Sequence, residues 1–363
     1  MSVFIHQSAL ICAIGGNEEA RQQSLAKPAL PPSPLELCLS GETVTLPYRN
    51  IPSTPLDQAG RLYQLIDQLM SEFIQRVNLP LQTLNKTALM FGSTSYDLGQ
   101  VLSNFKASSA SVVEQLAPLN TIPTYIKDTY NIGGLDYSYN SACSSSANAL
   151  HHAKLLLEYG IIDHAIVVGC ELYNPATLGG FHGLQLLSTT DCQPFANPNG
   201  MVLGEALGAV LLSRHPDTNS ANIELLSAHS SVDTHNITNT NQSGSAISSV
   251  MAKCLPPQQA VAAIKSCGVG TGNADDAELK GIDLCFKHKL PLLAFKPFIG
   301  NTLGASGVSE LILLKELMAY ETLPNNIFAG ELALESLSNQ SVLLNNFGFG
   351  GNNVCLLVKH HAA

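Results

Sequence analysis

The stretch LDYSYNSACSSSANALHHAKLLLEYG, residues 135–160, decides the fold of this chain. Its first part alternates apolar and polar side chains and ends in small residues, as a buried strand does when it runs into a tight turn. Its second part carries apolar residues near helical spacing from Ala147 to Leu157, and Gly160 ends that pattern. The stretch therefore predicts a strand, a turn that contains Cys143, and a helix.

Cys143 is predicted to lie just before the N-terminus of this helix. Unpaired backbone N–H groups and the positive end of the helix dipole favour a thiolate over a thiol at such a position. The small residues Ser144–Ser146 leave the sulfur approachable. Most buried cysteines, however, act only as small hydrophobic side chains. The local pattern favours neither reading, so the rest of the chain has to decide between a nucleophile and a core cysteine.

Composition limits the kind of protein and the kind of partner. The chain has 363 residues, of which 45% are hydrophobic, which predicts two domains or one large duplicated domain. Its net charge of −10 argues against nucleic acid, and its 13% of charged residues indicates a broad partner interface. The acidic balance fits badly with docking an acidic carrier protein through a broad basic face, unless a local patch or a second subunit supplies positive charge.

Cysteine usage and the N-terminus predict a cytoplasmic protein. Nine cysteines are scattered without a CxxC pair, a pattern that indicates free thiols in a reducing compartment and no metal site. The first residues, MSVFIHQSALICAIGGN, lack a basic region and are typical of a first strand rather than a signal peptide. No apolar run approaches ~20 residues, so no membrane span is expected.

Strands and helices alternate along the chain, which predicts an α/β fold with a largely parallel sheet. The proline-rich residues 26–60 are predicted to be irregular surface wrapping. A helix is predicted near 111–116, inside a mixed region from 94 to 130. The other predicted elements are strands at 3–13, 87–92, 163–171, 206–213, 223–231 and 292–295, and helices at 59–76, 244–255 and 308–320.

The second half of the chain repeats the predicted order of elements in the first. Residues 292–320 form a second strand, small-residue turn and helix, comparable with the unit around Cys143. We therefore expect an internal duplication with its boundary near residue 215. The predicted units are an N-terminal half, 1–215, which carries Cys143, and a C-terminal half, 216–363.

Seven motifs, taken together and in this order, resemble the β-ketoacyl synthase family of the thiolase superfamily. The resemblance implies a five-layered αβαβα fold with two similar halves, an obligate dimer, and an acyl chain in a tunnel near the dimer interface. It also implies that Cys143 occupies the nucleophile position. The motifs are SACSSSANAL at 141–150, GCELYNPATLGGFHGLQLLST at 169–189, PFANPNGMVLGEALGAVLL at 194–212, THNIT at 234–238, VGTGNADDAELKGI at 269–282, KPFIGNTLGASGVSELIL at 296–313 and NNFGFGGNNVCLL at 345–357.

The chain departs from the family at its two catalytic histidines. In the family these side chains stabilise the enolate-like charge that develops when the malonyl unit is decarboxylated. The first normally opens an HGT motif and is matched to Val269, and the second normally lies in GHTLGA and is matched to Asn301. With Val269 in the first position, the loop before Asp275 is about two residues shorter than in the family.

Neither replacement can do the work of the histidine it replaces. Val269 cannot donate a hydrogen bond, and Asn301 can donate one but cannot act as a base near neutral pH. Losing one such donor typically costs ~10²–10³ in rate, so the loss of both predicts little condensing activity. The other histidines near the motifs, His182, His229 and His235, lack the expected context, and structural or surface roles are favoured for them.

Other residues of the expected acyl tunnel are kept. Lys296 matches a family lysine that holds the loops around Glu278, and this role is favoured over that of an exposed surface lysine. Phe347 and Phe349 lie in the NFGFGG turn, where the family has a gating phenylalanine; Phe349 is the predicted gate and Phe347 is the better candidate for a core aromatic. Gly350, with its neighbouring glycines, allows this turn backbone conformations that other residues avoid.

A ketosynthase fold without its two histidines resembles a chain-length factor, the non-condensing subunit of type II polyketide and aryl polyene systems. The resemblance implies a heterodimer with an active ketosynthase, an acyl carrier protein, an acyl or polyene thioester in the tunnel, and no cofactor. Bulky side chains in 94–130 are expected to set product length. Against this reading, many such subunits carry Gln where this chain keeps Cys143.

Two alternatives remain open. In the first, Cys143 accepts acyl groups and transfers them without decarboxylation, which makes the chain an acyltransferase. In the second, the chain is a divergent condensing β-ketoacyl-ACP synthase whose histidines have moved elsewhere in the sequence. A stable adduct on Cys143 distinguishes the first alternative, and decarboxylation by the purified chain distinguishes the second.

Overall fold

The apolar runs of the sequence form a ten-stranded sheet and a three-stranded sheet in the computed structural model. The structure describes residues 2–39, 41–52, 55–105, 120–216, 222–236 and 240–362. The strands are β1 Phe4–Cys12, β2 Ser33–Leu39, β3 Glu42–Arg49, β4 Ala88–Gly92, β5 Asp136–Tyr139, β6 His164–Glu171, β7 Leu203–Gly204, β8 Ala206–Ser213, β9 Asn222–Val232, β10 Ala263–Lys265, β11 Leu292–Leu293, β12 Ser341–Phe347 and β13 Asn352–His361.

The helices follow the amphipathic and small-residue segments between these strands. Short 3₁₀ turns at Leu303–Ala305, Asn325–Ile327 and Phe349–Gly351 complete the described chain. The helices are α1 Glu18–Leu25, α2 Arg61–Val77, α3 Leu81–Leu84, α4 Leu98–Phe105, α5 Thr121–Tyr130, α6 Ser145–Glu158, α7 Pro175–Gly183, α8 Ser245–Cys254, α9 Gly272–Cys285, α10 Lys296–Ile299 and α11 Ser306–Met318.

The large sheet consists of two sets of five strands with the same topology. Their orders are β5-β4-β6-β8-β1 and β11-β10-β12-β13-β9, which correspond strand for strand along the chain. In each set the first three strands pair in parallel, and the fourth strand pairs antiparallel with both the third and the fifth. The sets join where Phe4 pairs with Glu224 and Ile5 with Ile223. The division of the chain at residue 215 stays a prediction.

The helices and the two strand sets are stacked in five layers. Helices α6 and α11 lie side by side at the centre and share one hydrophobic cluster with strands of both sets. Helices α2 and α5 cover the outer face of the first set, and α8 and α9 cover that of the second. A Cβ on Gly307 would lie 2.3 Å from the backbone nitrogen of Ala147, so this glycine allows the central helices to approach closely.

Three expectations from the sequence are wrong in detail. The sheet is mixed rather than largely parallel, because strands buried on both faces have the same apolar pattern in either direction. Residues 33–49 form the hairpin β2–β3 instead of irregular wrapping, and its proline residues Pro34 and Pro47 face each other in the register. Strand β5 is largely exposed, because it is the last strand of its set and pairs only with β4. The helix predicted near 111–116 lies outside the described residues.

The described helices include none that is long and apolar enough to cross a membrane. The nine cysteines carry free thiols.

Candidate active site around Cys143

Cys143 lies in a tight turn between β5 and α6, at the bottom of a cavity. The preceding residue, Ala142, has a φ of 52°, a backbone conformation that residues other than glycine rarely adopt. Serine hydroxyls hold the turn: Ser144 Oγ donates to the carbonyl of Ser141 at 2.7 Å, and Ser145 Oγ donates to that of Ala142 at 2.6 Å. These hydrogen bonds fix the direction in which the sulfur points.

Burial determines the protonation state of Cys143. It raises the pKa of the thiol to about 11, although the charge of Lys296 and the backbone N–H groups of Phe349 and Cys143 lower it in part. The thiolate expected at the helix N-terminus is therefore not favoured at neutral pH, because loss of solvation outweighs the helix end. Cys143 is a buried thiol that faces the cavity.

The cavity above Cys143 has a volume of about 400 Å³. Most of the site residues that were predicted from the sequence line it. Those that line it are Cys143, Val269, Glu278, Asn301, Phe347, Phe349 and Gly350, and residues 94–102 and 120–130 are not among its lining. Lys296 does not line the cavity. Among the described residues of the lining there is no histidine, so His182, His229 and His235 do not border this cavity.

Asn301 is a buried residue whose polar atoms are already engaged. Its Nδ2 lies 3.4 Å from the sulfur of Met201, and its Oδ1 accepts from the backbone N–H of Leu303 at 3.2 Å. The backbone of the same residue pairs with Val202 and Gly204. The side chain therefore stabilises the loop before α11.

Cys267 is a cavity residue that the sequence reasoning missed. It lies two residues after the end of β10, and its thiol donates to the carbonyl of Phe347 at 3.4 Å. Burial raises the pKa of this thiol to about 12. Val269, two residues further, is buried, and its carbonyl accepts from the thiol of Cys192 at 3.7 Å. The detectable signal was the CGVGT sequence, which begins two residues after the end of the strand.

Lys296 is buried and pairs with Glu310, not with Glu278. Its Nζ lies 2.6 Å from one carboxylate oxygen of Glu310, and Lys265 pairs with the other oxygen. Lys265 also donates to the carbonyl of Asn345 at 2.7 Å. Glu310 was missed in the sequence, although a single acidic residue in the apolar run VSELILL marks a buried charge.

Glu278 closes this network on the other side. Its carboxylate accepts from the backbone N–H of Cys267 at 2.8 Å, from that of Gly268 at 2.9 Å and from Asn345 Nδ2 at 2.9 Å. Asn345 thus connects Glu278 with Lys265 and, through Glu310, with Lys296. The network holds the Cys267 loop and the end of β12 in place, and the positive charge of Lys296 reaches both cavity thiols.

The turn between β12 and β13 brings Phe349 to the cavity. The ring of Phe349 lies 5.4 Å from that of Phe181, between centroids, and shares a hydrophobic cluster with Cys143. A Cβ on Gly348 would lie 3.2 Å from the backbone nitrogen of Cys143, so a glycine lets this turn reach the nucleophile position. Phe347 packs on the other side, in the cluster under α8 and α9, and Gly350 has a φ of 77°.

Comparison with known families fits this geometry. The model of the β-ketoacyl synthase N-terminal domain matches residues 47–218, and the model of the C-terminal domain of the same family matches residues 223–329. The chain belongs to the β-ketoacyl synthase family. The expected thiolase-like, five-layered fold is thereby confirmed, with Cys143 in the N-terminal match and Cys267 and Asn301 in the C-terminal one.

Relatives of this β-ketoacyl synthase family member include both condensing enzymes and paired subunits. A putative mitochondrial 3-oxoacyl-[acyl-carrier-protein] synthase of Schizosaccharomyces pombe is 27% identical over 317 residues, 75% of this chain and 74% of that protein. The complex of the ketosynthase ApeO with its chain length factor ApeC from Xenorhabdus doucetiae contains a similar chain, with a TM-score of 0.84, 23% identity, and coverage of 100% and 98%. The ishigamide ketosynthase/chain length factor gives a TM-score of 0.79, 18% identity, and coverage of 99% and 98%.

Proposed function

We propose that this chain is a non-condensing, chain-length-factor-type subunit that pairs with an active β-ketoacyl-ACP synthase. The observation that carries the proposal is the cavity above Cys143, whose described lining holds thiols and amides but no histidine. In this role the chain shapes the tunnel for an acyl or polyene thioester in polyketide or aryl polyene biosynthesis, in the cytoplasm.

Cys267, rather than Val269, replaces the first family histidine in this proposal. When the triplet Cys267-Gly268-Val269 is matched to HGT, the loop to Asp275 gains two residues, and the shortfall noted in the sequence disappears. The position of Cys267 in the cavity, two residues after the end of β10, supports this alignment. The assignment of Asn301 to the second histidine is unchanged.

The two replacements explain why the chain alone should not decarboxylate a malonyl thioester. The enolate-like charge needs donors that are aimed at it before the reaction begins. The thiol of Cys267 is a weak donor that already serves the carbonyl of Phe347, and the amide of Asn301 is directed at Met201. With ~10²–10³ lost for each donor, the remaining activity falls near background.

The exposed strand β5 supports pairing with a second subunit. It is the last strand of the large sheet; Tyr137 within it is 45% exposed, and Leu135 just before it is 46% exposed. An edge strand with apolar side chains offers backbone groups and hydrophobic surface to another chain. The proposed partners are the active ketosynthase at this edge and an acyl carrier protein that delivers the thioester. The role of 94–130 in product length stays part of the proposal.

The first test is the composition of the purified complex. The chain is co-expressed with the intact ketosynthase encoded beside it, and the product is analysed by native mass spectrometry. A one-to-one heterodimer is the expected result, whereas a homodimer that ignores the partner contradicts the proposal. Turnover of malonyl-ACP by the homodimer would also contradict it.

A matched pair of variants tests the missing donors. Cys267→His with Asn301→His restores both family residues, and Val269→His with Asn301→His tests the original alignment. Malonyl decarboxylation gained only by the first pair supports the corrected position. If neither pair gains activity while the unchanged chain is active, the condensing chemistry uses other residues, and the non-condensing role fails.

The second candidate is an acyltransferase that uses Cys143 without decarboxylation. It is favoured by the backbone N–H groups of Phe349 and Cys143, which point at the sulfur. Donors at this position could also stabilise the negative charge that develops on a thioester oxygen. Incubation with acyl-ACP followed by intact mass spectrometry tests it. A stable adduct that is lost in Cys143→Ala supports transfer, and the absence of an adduct contradicts it.

A further inference from the structure

Two cavities lie outside the site around Cys143, on the two sides of the segment Pro28–Pro31. Their volumes are about 610 and 660 Å³. Both are lined by this segment, by Arg49 at the end of β3, and by the ring of Phe298 in α10. Arg49 is thus the one cation that borders both cavities within the described chain.

Arg49 differs from the other half-buried or buried arginines in this fold. Arg21 and Arg61 pair with the carboxylates of Glu316 and Glu205. Arg49 donates through Nη2 to the carbonyl of Pro297 at 2.5 Å, and no carboxylate of the described residues lies within ion-pair distance of it. Burial lowers the pKa of this arginine, and the nearby Cys192 and Asp191 offset that shift only in part.

The 610 Å³ cavity combines positive charge with apolar surface. Its lining holds Lys27 and Arg49 and, among its described residues, no carboxylate, although the whole chain has a net charge of −10. Ile14, Leu30 and Phe298 supply an apolar wall. The second cavity contains one carboxylate, Asp191, so the first is the better anion site.

We propose that the 610 Å³ cavity binds an amphipathic anion, a phosphate or carboxylate head group on an apolar chain. The head group lies between Arg49 and Lys27, where the planar guanidinium can donate two parallel hydrogen bonds to it. The apolar chain packs on Phe298 and Leu30. This site is separate from the cavity of Cys143, with which it shares no lining residue.

Isothermal titration calorimetry of the full chain with decyl phosphate, decanoate and decanol tests the proposal. Both anions should bind, and the neutral alcohol should bind at least tenfold more weakly; the ratio of the two anions identifies the preferred head group. Arg49→Gln should weaken anion binding about ten- to a hundredfold, since hydrogen bonds to charged groups contribute that much. Equal binding of the alcohol would overturn the proposal.

Variants at exposed positions keep the test independent of folding. Leu30 is 78% exposed, so Leu30→Glu places a carboxylate at the cavity mouth without changing the core. It should weaken anion binding at least tenfold, whereas Leu81→Glu, at a leucine that is 58% exposed elsewhere, should leave it unchanged. Lys27→Gln should give a smaller loss. If Leu30→Glu binds the anions as the unchanged chain does, they bind elsewhere and the inference is wrong.

Discussion

Replacing Glu310 by glutamine should be among the most damaging single changes to this fold. Glu310 lies in the middle of α11 and is 1% exposed, and its carboxylate is shared by two buried lysines, Lys265 and Lys296. Glu310→Gln keeps the size and shape of the side chain but removes its charge. Two buried cations then lose their common counter-ion, and no other carboxylate of the described residues is paired with either of them.

The magnitude follows from the burial of all three groups. Breaking a buried ion pair by removing one partner costs about 3–5 kcal/mol, because an uncompensated charge is left behind. Unfolding of a 363-residue chain has an entropy near 0.8 kcal/mol per kelvin at about 2.1 cal/mol/K per residue. Glu310→Gln should therefore lower Tm by about 4–7 °C.

Differential scanning calorimetry at neutral pH measures this shift, and an exposed ion pair supplies the control. Glu72 pairs with Arg76 on α2, and both side chains are more than a third exposed, so Glu72→Gln should cost less than about 0.5 kcal/mol, or under about 1 °C. A Glu310→Gln shift no larger than that of Glu72→Gln would refute the reasoning. The triple variant with Lys265→Met and Lys296→Met should recover much of the loss, since neither buried cation is then left without its counter-ion.

The pH dependence of the same difference has a definite sign. Burial alone would raise the pKa of Glu310, but the two lysines outweigh it and hold the pKa below its usual value. An acid whose pKa is lower in the folded state contributes stability above its unfolded pKa and loses it as pH falls through the folded value. The Tm difference between the unchanged chain and Glu310→Gln should therefore be constant near neutrality and shrink only below about pH 4.

Three further predictions concern a buried acid, the candidate nucleophile and the exposed sheet edge. Burial raises the pKa of Asp275 to about 6, so its contribution to stability falls as pH rises from about 4 to about 6, and Asp275→Asn should flatten Tm over that window in a calorimetric pH series. Alkylation of Cys143 by iodoacetamide, followed by peptide mass spectrometry, should be slower than that of exposed Cys38 and rise about tenfold per pH unit up to pH 9, and a plateau below about pH 8 would contradict the raised pKa. Tyr137→Lys should weaken heterodimer formation in native mass spectrometry at least tenfold, whereas Leu81→Lys should not, and equal effects would argue against β5 as the interface.

The fold could be predicted from the sequence where the pattern was strong and local. The alternation before Cys143, the small-residue turn and the helix that follows appear within two residues of their expected positions. Strand direction was not predictable, because a strand that is buried on both faces has the same apolar run whether its neighbour is parallel or antiparallel. The hairpin β2–β3 was hidden by Pro34 and Pro47, which face each other in the small three-stranded sheet although proline is unfavourable within strands.

The site was predictable as a set of motifs, but its electrostatics depended on contacts between distant segments. Cys143, Asn301 and Phe349 come from three separate turns, and the sequence placed them together only through resemblance. The raised pKa of Cys143 could not be predicted, since a helix N-terminus suggests the opposite shift and only the packed structure shows how completely the sulfur is buried. The Lys265–Glu310–Lys296 network was likewise invisible, because its members lie in three elements.

The retained loop contacts and the absence of histidine from the described cavity lining both support the proposed non-condensing subunit. The Lys296–Glu310 pair and the loop contacts of Glu278 still hold the cavity as a catalytic site requires. The positions that would stabilise developing charge instead hold Cys267 and Asn301, whose polar atoms serve the protein itself. A chain under selection for condensation would lose most of its rate by either change. A chain under selection only for the shape of the tunnel would lose no function by these changes, because Cys267 and Asn301 pack well and keep the loops in place.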